Sequence, residues 1–231
     1  MLKLIYRLLV VLPVLVVLSG CHSVRPPDSE PFTGANAMLS LSGTVSLAYS
    51  GSAKPVSGNG FLMFRKPDQM RMVILSPFGS VLQEIIVSGE LVTIVDAGNG
   101  IAFCGDFSEL PAAGNFSGWR YIHWLIDIDP PDAERRTGIV TRNNRFGDAE
   151  EAVFDQGLLI TKATASGGKA TYGNYTAVHG VAVPLNIIYE TASRELFTIN
   201  IEDPEVNVQF AGNAFSPDLS RYKLYPLSAL K

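Results

Sequence analysis

The side chains best placed to do chemistry here are the thiols of Cys21 and Cys104, the imidazoles of His22, His123 and His179, and the close carboxylates Asp127 and Asp129. A metal centre needs such ligands at short recurring spacings, and none of the three histidines stands at one. Asp127 and Asp129 directly precede Pro130-Pro131, so they read as polar residues closing a helix and not as an acid/base pair. Cys104 follows Phe103 in an apolar stretch and is expected to be a small buried hydrophobe. His123 adjoins Trp124 in a helical piece and is expected on a lid or at the surface. The sequence has no phosphate-binding glycine loop, dinucleotide fingerprint or Gly-x-Ser-x-Gly elbow. These readings point away from an enzyme and imply no cofactor and no metal.

Cys21 is the exception, because its surroundings prescribe a modification. Lys3 and Arg7 open the chain, residues 8–18 form an apolar run, and Leu18-Ser19-Gly20 lead into the cysteine. This is the layout of an export signal. The run holds Pro13 and is well short of the roughly 20 residues a membrane span needs. The four residues Leu18-Ser19-Gly20-Cys21 resemble the lipobox of bacterial lipoproteins. That resemblance implies cleavage before Cys21 and acylation (palmitate among the chains) of its thiol and new amino terminus. Residues 21–36 are polar and proline-rich, hence a lipidated tether that cannot bury a core. His22 stands where an Asp would imply retention in the inner membrane, so the implied location is the outer membrane, facing the periplasm.

The elements that must position any site lie in residues 37–231. The full chain is 47% hydrophobic, 17% charged and carries a formal charge of −4, with no electrostatic footprint for nucleic acid. With Cys21 acylated, Cys104 has no partner for an internal disulfide, so the fold must rest on burial. Period-two patterning dominates. Leu39, Leu41, Val45, Leu47 and Tyr49 alternate with Ser40, Ser42, Thr44 and Ser46, a half-buried strand. A Gly/Ser/Pro-rich turn is expected at 50–60, then strands near 61–64, 70–75, 82–87 and 91–95. Trp119, Ile122, Leu125 and Ile126 fall at helical spacing. Strands resume near 138–142, 150–155, 157–164, 170–178, 183–190, 196–202 and 205–211. The expected fold is mainly β with a short helical lid: a strongly curved antiparallel sheet or half-open barrel of about 11 strands.

Two stretches carry a family resemblance. Residues 61–80, FLMFRKPDQMRMVILSPFGS, pair two apolar strands across a polar turn and end in the loop Pro77-Phe78-Gly79. Residues 124–130, WLIDIDP, bring a tryptophan-containing helix to a proline break. With the looser likeness of Val183-Pro184-Leu185-Asn186-Ile187-Ile188-Tyr189, they resemble the LolA/LolB-like superfamily, nearest to the outer-membrane lipoprotein receptor LolB. The resemblance implies an apolar cavity for lipoprotein acyl chains, a periplasmic LolA-like carrier as donor, and an apolar residue at the tip of the loop, here Phe78, that enters the bilayer. Candidate cavity residues are Leu41, Val45, Leu47, Met63, Met72, Ile74, Ile86, Ile94 and Trp124. The expected partners are therefore the membrane and acylated lipoproteins or other lipids. The alternative is a structural subunit of an envelope assembly that transfers nothing and offers residues 222–227 to its partners.

Overall fold

The computed structural model describes residues 37–51, 55–110, 119–128, 137–144, 147–165 and 168–230. The expected signal segment, Cys21, the tether, Asp129 and Pro130-Pro131 lie outside the described residues. The described chain runs through β1 (Ser40–Ser50), β2 (Val56–Arg65), β3 (Gln69–Leu75), β4 (Val81–Ser88), β5 (Leu91–Asp96) and β6 (Ile101–Asp106). Helix α1 (Trp119–Ile126) follows. Then come β7 (Gly138–Asn143), β8 (Ala149–Asp155), β9 (Leu158–Thr164), β10 (Lys169–Val178), β11 (Val181–Glu190), β12 (Leu196–Val206) and β13 (Lys223–Pro226).

These strands make one open sheet in the order β13-β6-β5-β4-β3-β2-β1-β12-β11-β10-β9-β8-β7. Every neighbouring pair is antiparallel except β13 with β6, which is parallel. The first strand pairs with the twelfth, Leu47 opposite Ile199, so two up-and-down meanders fuse into a single surface. The sheet is the expected mainly-β, strongly curved structure, with thirteen strands. No helix among the described residues is long and apolar enough to cross a membrane.

Register decides which side chains share a face, since directly opposed residues point the same way. Leu41 faces Phe64, Leu62 faces Met72, Met72 faces Ile85, and Ile85 faces Ile94. All of these are buried in one core. Helix α1 covers that face, contributing Ile122, Trp124, Leu125 and Ile126. The expected helical spacing is correct, but His123 is not at the surface: it is 0% exposed, edge-on to Phe64 at 5.3 Å.

Polar contacts pin the C-terminal end of α1, where the last carbonyls have no intrahelical donor. The buried Lys162 ammonium donates to the carbonyls of Trp124, at 3.2 Å, and of Asp127, and lies 5.4 Å from the Trp124 ring. A cation is favourable at this negative end of the helix dipole. Trp124 Nε1 donates to buried Glu150 at 2.6 Å, and Arg142 pairs with the other carboxylate oxygen at 2.5 Å. Tyr172 donates to the Leu125 carbonyl, and Lys66 pairs with Asp127 at 3.0 Å.

The opposite face of the sheet is partly covered by residues 207–222. Residues 205–211 are therefore not a strand of their own: β12 ends at Val206 and the chain leaves the sheet. Arg71, held by Glu84 at 2.7 Å, donates to the Ala214 carbonyl, and the Arg65 guanidinium sits over the Phe215 ring. Leu219 and Tyr222 pack on a second cluster, Ile86, Val95 and Ala102. The segment ends as β13, pairing Tyr225 with Phe103, and Leu227 is buried. Tyr222, Tyr225 and Leu227 are thus used within the chain, while Lys223, Leu224 and Pro226 of this edge strand are exposed. Cys104 is half-buried and accepts a weak contact from the Thr93 hydroxyl, 3.8 Å away.

Candidate functional site: an apolar cavity beside a rigid aromatic loop

The inner face is filled at one end and hollow at the other, and β2 gives the reason. Its inward residues, from the end of the strand backwards, are Phe64, Leu62, Gly60 and Gly58, opposite Leu41, Gly43, Val45 and Leu47. Two bulky side chains give way to two positions with none. Gly60 has no alternative, because a Cβ there would stand 1.8 Å from the Val73 carbonyl oxygen. Of the expected turn at 50–60, residues 56–60 are in fact the start of this strand, and their glycines hollow the sheet.

The hollow is a cavity of about 710 Å³, inside the usual range of about 300–1,000 Å³ for small-molecule sites. Leu47, Gly58 and Ile74 form its sheet floor, Ile122 and Leu125 of α1 close its inner end, and Ser76, Pro77 and Leu82 stand at the rim. One wall is aromatic: Tyr49 and Phe197 meet at 4.7 Å, and Phe197 leads on to Tyr189, which touches Tyr121 and Trp124. The Tyr49 hydroxyl donates outward to Glu195 at 2.8 Å. Burial holds the Tyr189 and Tyr175 hydroxyls above the ordinary tyrosine pKa, and the Tyr121 hydroxyl adds to the effect at Tyr189. Among the described residues, no Asp, Glu, Lys, Arg or His lines the cavity. The lining is mainly apolar, with hydroxyl and amide side chains such as Ser57, Asn59 and Gln83 among it, and these residues offer no counter-charge to an ionic group.

The rim carries the loop Pro77-Phe78-Gly79. Ser76 builds it as a self-bonded turn. Its Oγ accepts from the amides of Phe78 and Ser80 at 3.2 and 3.1 Å. Its own amide donates to the Ser80 carbonyl at 2.8 Å, and Gly79 donates back to the Ser76 carbonyl at 2.9 Å. Gly79 has φ of +80°, a conformation that costs glycine little. Phe78 is therefore held away from the protein, 97% exposed, with exposed Val81 and Leu82 following it. Together Phe78, Val81 and Leu82 make an exposed apolar run, and it is contiguous apolar surface, more than a single side chain, that marks a contact site.

Of the residues expected to line a cavity, Leu47 and Ile74 do so. Leu41, Val45, Met72 and Ile94 share their face but lie in the filled core, as does Trp124. Met63 and Ile86 are corrections. Met63 is opposite Arg71 and Ser42, on the outer side, and Ile86 belongs to the cluster under residues 207–222. Tyr49, Gly58, Ile122, Leu125, Phe197 and Ile199 line the cavity and were not singled out from the sequence. The unbroken odd-residue pattern of β1 already contained Tyr49, and the helical spacing contained Ile122 and Leu125. The glycines carried no such signal.

Comparison with protein-family profiles and with curated proteins finds no match. Solved structures do match. A domain provisionally named an outer-membrane lipoprotein-sorting protein, from Vibrio parahaemolyticus, superposes with a TM-score of 0.54 at 10% identity. That match covers 77% of this chain and 89% of that one. A DUF1329 family protein from Desulfovibrio piger gives 0.52 at 9% identity, covering 77% and 90%. A LolA superfamily protein from Nitrosomonas europaea gives 0.47 at 14%, again over 77% and 90%. At these identities the likeness establishes a shared fold, and it does not single out LolB. The open curved sheet is thus a fold shared with the first two of these proteins, and fold alone does not assign function.

Proposed function

We propose that this chain is a lipid-anchored receptacle of the outer membrane that accepts acylated lipoproteins or other lipids in its cavity and passes them into the bilayer. Cys21 carries the anchor, the cavity between β1–β4, β12 and α1 holds hydrocarbon, and Phe78 enters the membrane at the moment of transfer. The work is done by binding and release, without a catalysed reaction. Its driving force is the difference in affinity between a donor such as a LolA-like carrier, the cavity and the bilayer.

One observation carries this reading: an aromatic side chain fixed almost wholly in solvent, on the rim of a mainly apolar cavity that no charged residue among those described lines. Burying a phenylalanine side chain is favourable by roughly 1.5–3 kcal/mol, enough to bias the rim toward a bilayer without making contact permanent. A filled interior, as a purely structural subunit would have, does not fit the hollow end of the sheet.

The test separates binding from delivery. Phe78→Glu should leave affinity for a palmitoyl lysophospholipid unchanged, since residue 78 is outside the cavity. The same variant should slow transfer of that lipid to phospholipid vesicles by at least about tenfold, the equivalent of about 1.4 kcal/mol. Equal transfer by variant and wild type would remove Phe78 from the mechanism.

A further inference from the structure

We infer that the cavity takes the hydrocarbon of one long acyl chain at a time, so that its substrate class is a single-chain amphiphile or one chain of a larger lipid. This rests on the reading of the cavity as a lipid receptacle and narrows it. A methylene displaces about the volume of one water molecule in the liquid, about 30 Å³. A cavity of about 710 Å³ then has room for about 24 methylenes. A palmitoyl chain fits with space to spare, a second fits in part, and the three chains of a bacterial lipoprotein need about twice the volume.

The walls support the same limit. The inner end is closed by Ile122 and Leu125 on a helix whose last turn is held by Lys162, Glu150 through Trp124, and the Lys66–Asp127 pair. Expansion in that direction would break buried polar contacts. The floor is continuous sheet, with Leu47 paired to both Gly58 and Ile199. The open side is the rim at Pro77 and Leu82. With no charged side chain among the described lining residues, an ionic headgroup finds no counter-charge inside, so it stays at the rim with any chain that does not fit. Selection is by length and number of chains.

A chain-length series tests this, using native mass spectrometry and calorimetry on the full chain carrying Cys21→Ser, which has no acyl groups of its own to occupy the cavity. Lysophosphatidylcholines from palmitoyl to octacosanoyl should bind one per protein. Affinity should rise by up to about fourfold per methylene and stop rising before about 24 methylenes. A tripalmitoylated cysteinyl peptide should bind within about tenfold of palmitoyl lysophosphatidylcholine. Gly58→Val should bring the plateau to shorter chains. Its added carbon meets Ile74 Cγ2 at 3.2 Å, and Ile74 has the cavity to move into. Binding of the tripalmitoylated peptide more than about tenfold tighter, or of two palmitoyl lysolipids at once, would overturn the single-chain limit while leaving the receptacle reading intact. Failure of every lipid to bind would overturn both.

Discussion

Replacing Lys162 by methionine tests how the cavity's inner wall is held. The side chain is 2% exposed and its ammonium serves the carbonyls of Trp124 and Asp127 at the end of α1. Methionine fills much the same volume but donates nothing. Each carbonyl left buried without a donor costs about 1–3 kcal/mol, and loss of the cation from the negative helix end costs up to about 2 kcal/mol. Against this, the unfolded-to-folded transfer of a charge into the interior, itself worth several kcal/mol, is no longer required. The net expectation is a loss of about 2–4 kcal/mol, which for a domain of this size lowers Tm by roughly 5–15 °C. Because Ile122 and Leu125 ride on the same helix, affinity for palmitoyl lysophosphatidylcholine should fall as well. Urea unfolding followed by circular dichroism, with calorimetric titration of the lipid, reads both. A stability change under about 0.5 kcal/mol with unchanged affinity would refute the argument that Lys162 fastens the helix.

Gly60→Ala should destabilise by about 3 kcal/mol or more, since its Cβ would collide with the Val73 carbonyl and force β2 from β3; urea midpoints measure it. If Cys21 carries the anchor, as proposed, the stretch that joins it to the sheet sets a geometric limit. Pro77 borders the cavity beside Tyr49, at the far end of β1, about 30 Å from Ser40 at about 3.4 Å per residue. The stretch from Cys21 to Met38, 17 residues, reaches about 53 Å as an extended proline-rich segment. Deleting residues 24–31 leaves about 28 Å. The anchored protein should then lose Phe78-dependent transfer to its own membrane, and a Gly/Ser segment of the original length should restore it. Stability should also fall in alkali. The Tyr189 and Tyr175 hydroxyls are held above their ordinary pKa by burial, so above about pH 10 the unfolded chain ionises first and is favoured. Unfolding free energies measured across that range should decline with rising pH.

The period-two alternation in this sequence determined most of the strands, because a half-buried strand must alternate. Leu18-Ser19-Gly20-Cys21 suggested an anchor for the same kind of local reason, and Pro77-Phe78-Gly79 marked a turn. What alternation cannot decide is which parity faces inward where successive residues are all apolar. Phe61-Leu62-Met63-Phe64 is such a run, and so is Ile85-Ile86-Val87. There the register with neighbouring strands chose Leu62, Phe64, Ile85 and Val87 for the main core, a choice that shifting by one residue would reverse. Residues 207–222 made burial of Ile86 on the other face possible, and no local pattern announces a segment that crosses a sheet. The cavity belongs wholly to tertiary structure. Gly58 and Gly60 read locally as a turn, and only their pairing opposite Leu47 and Val45 turns two missing side chains into a space. An absence becomes a site only when the residues around it are held in place by others far away in the chain.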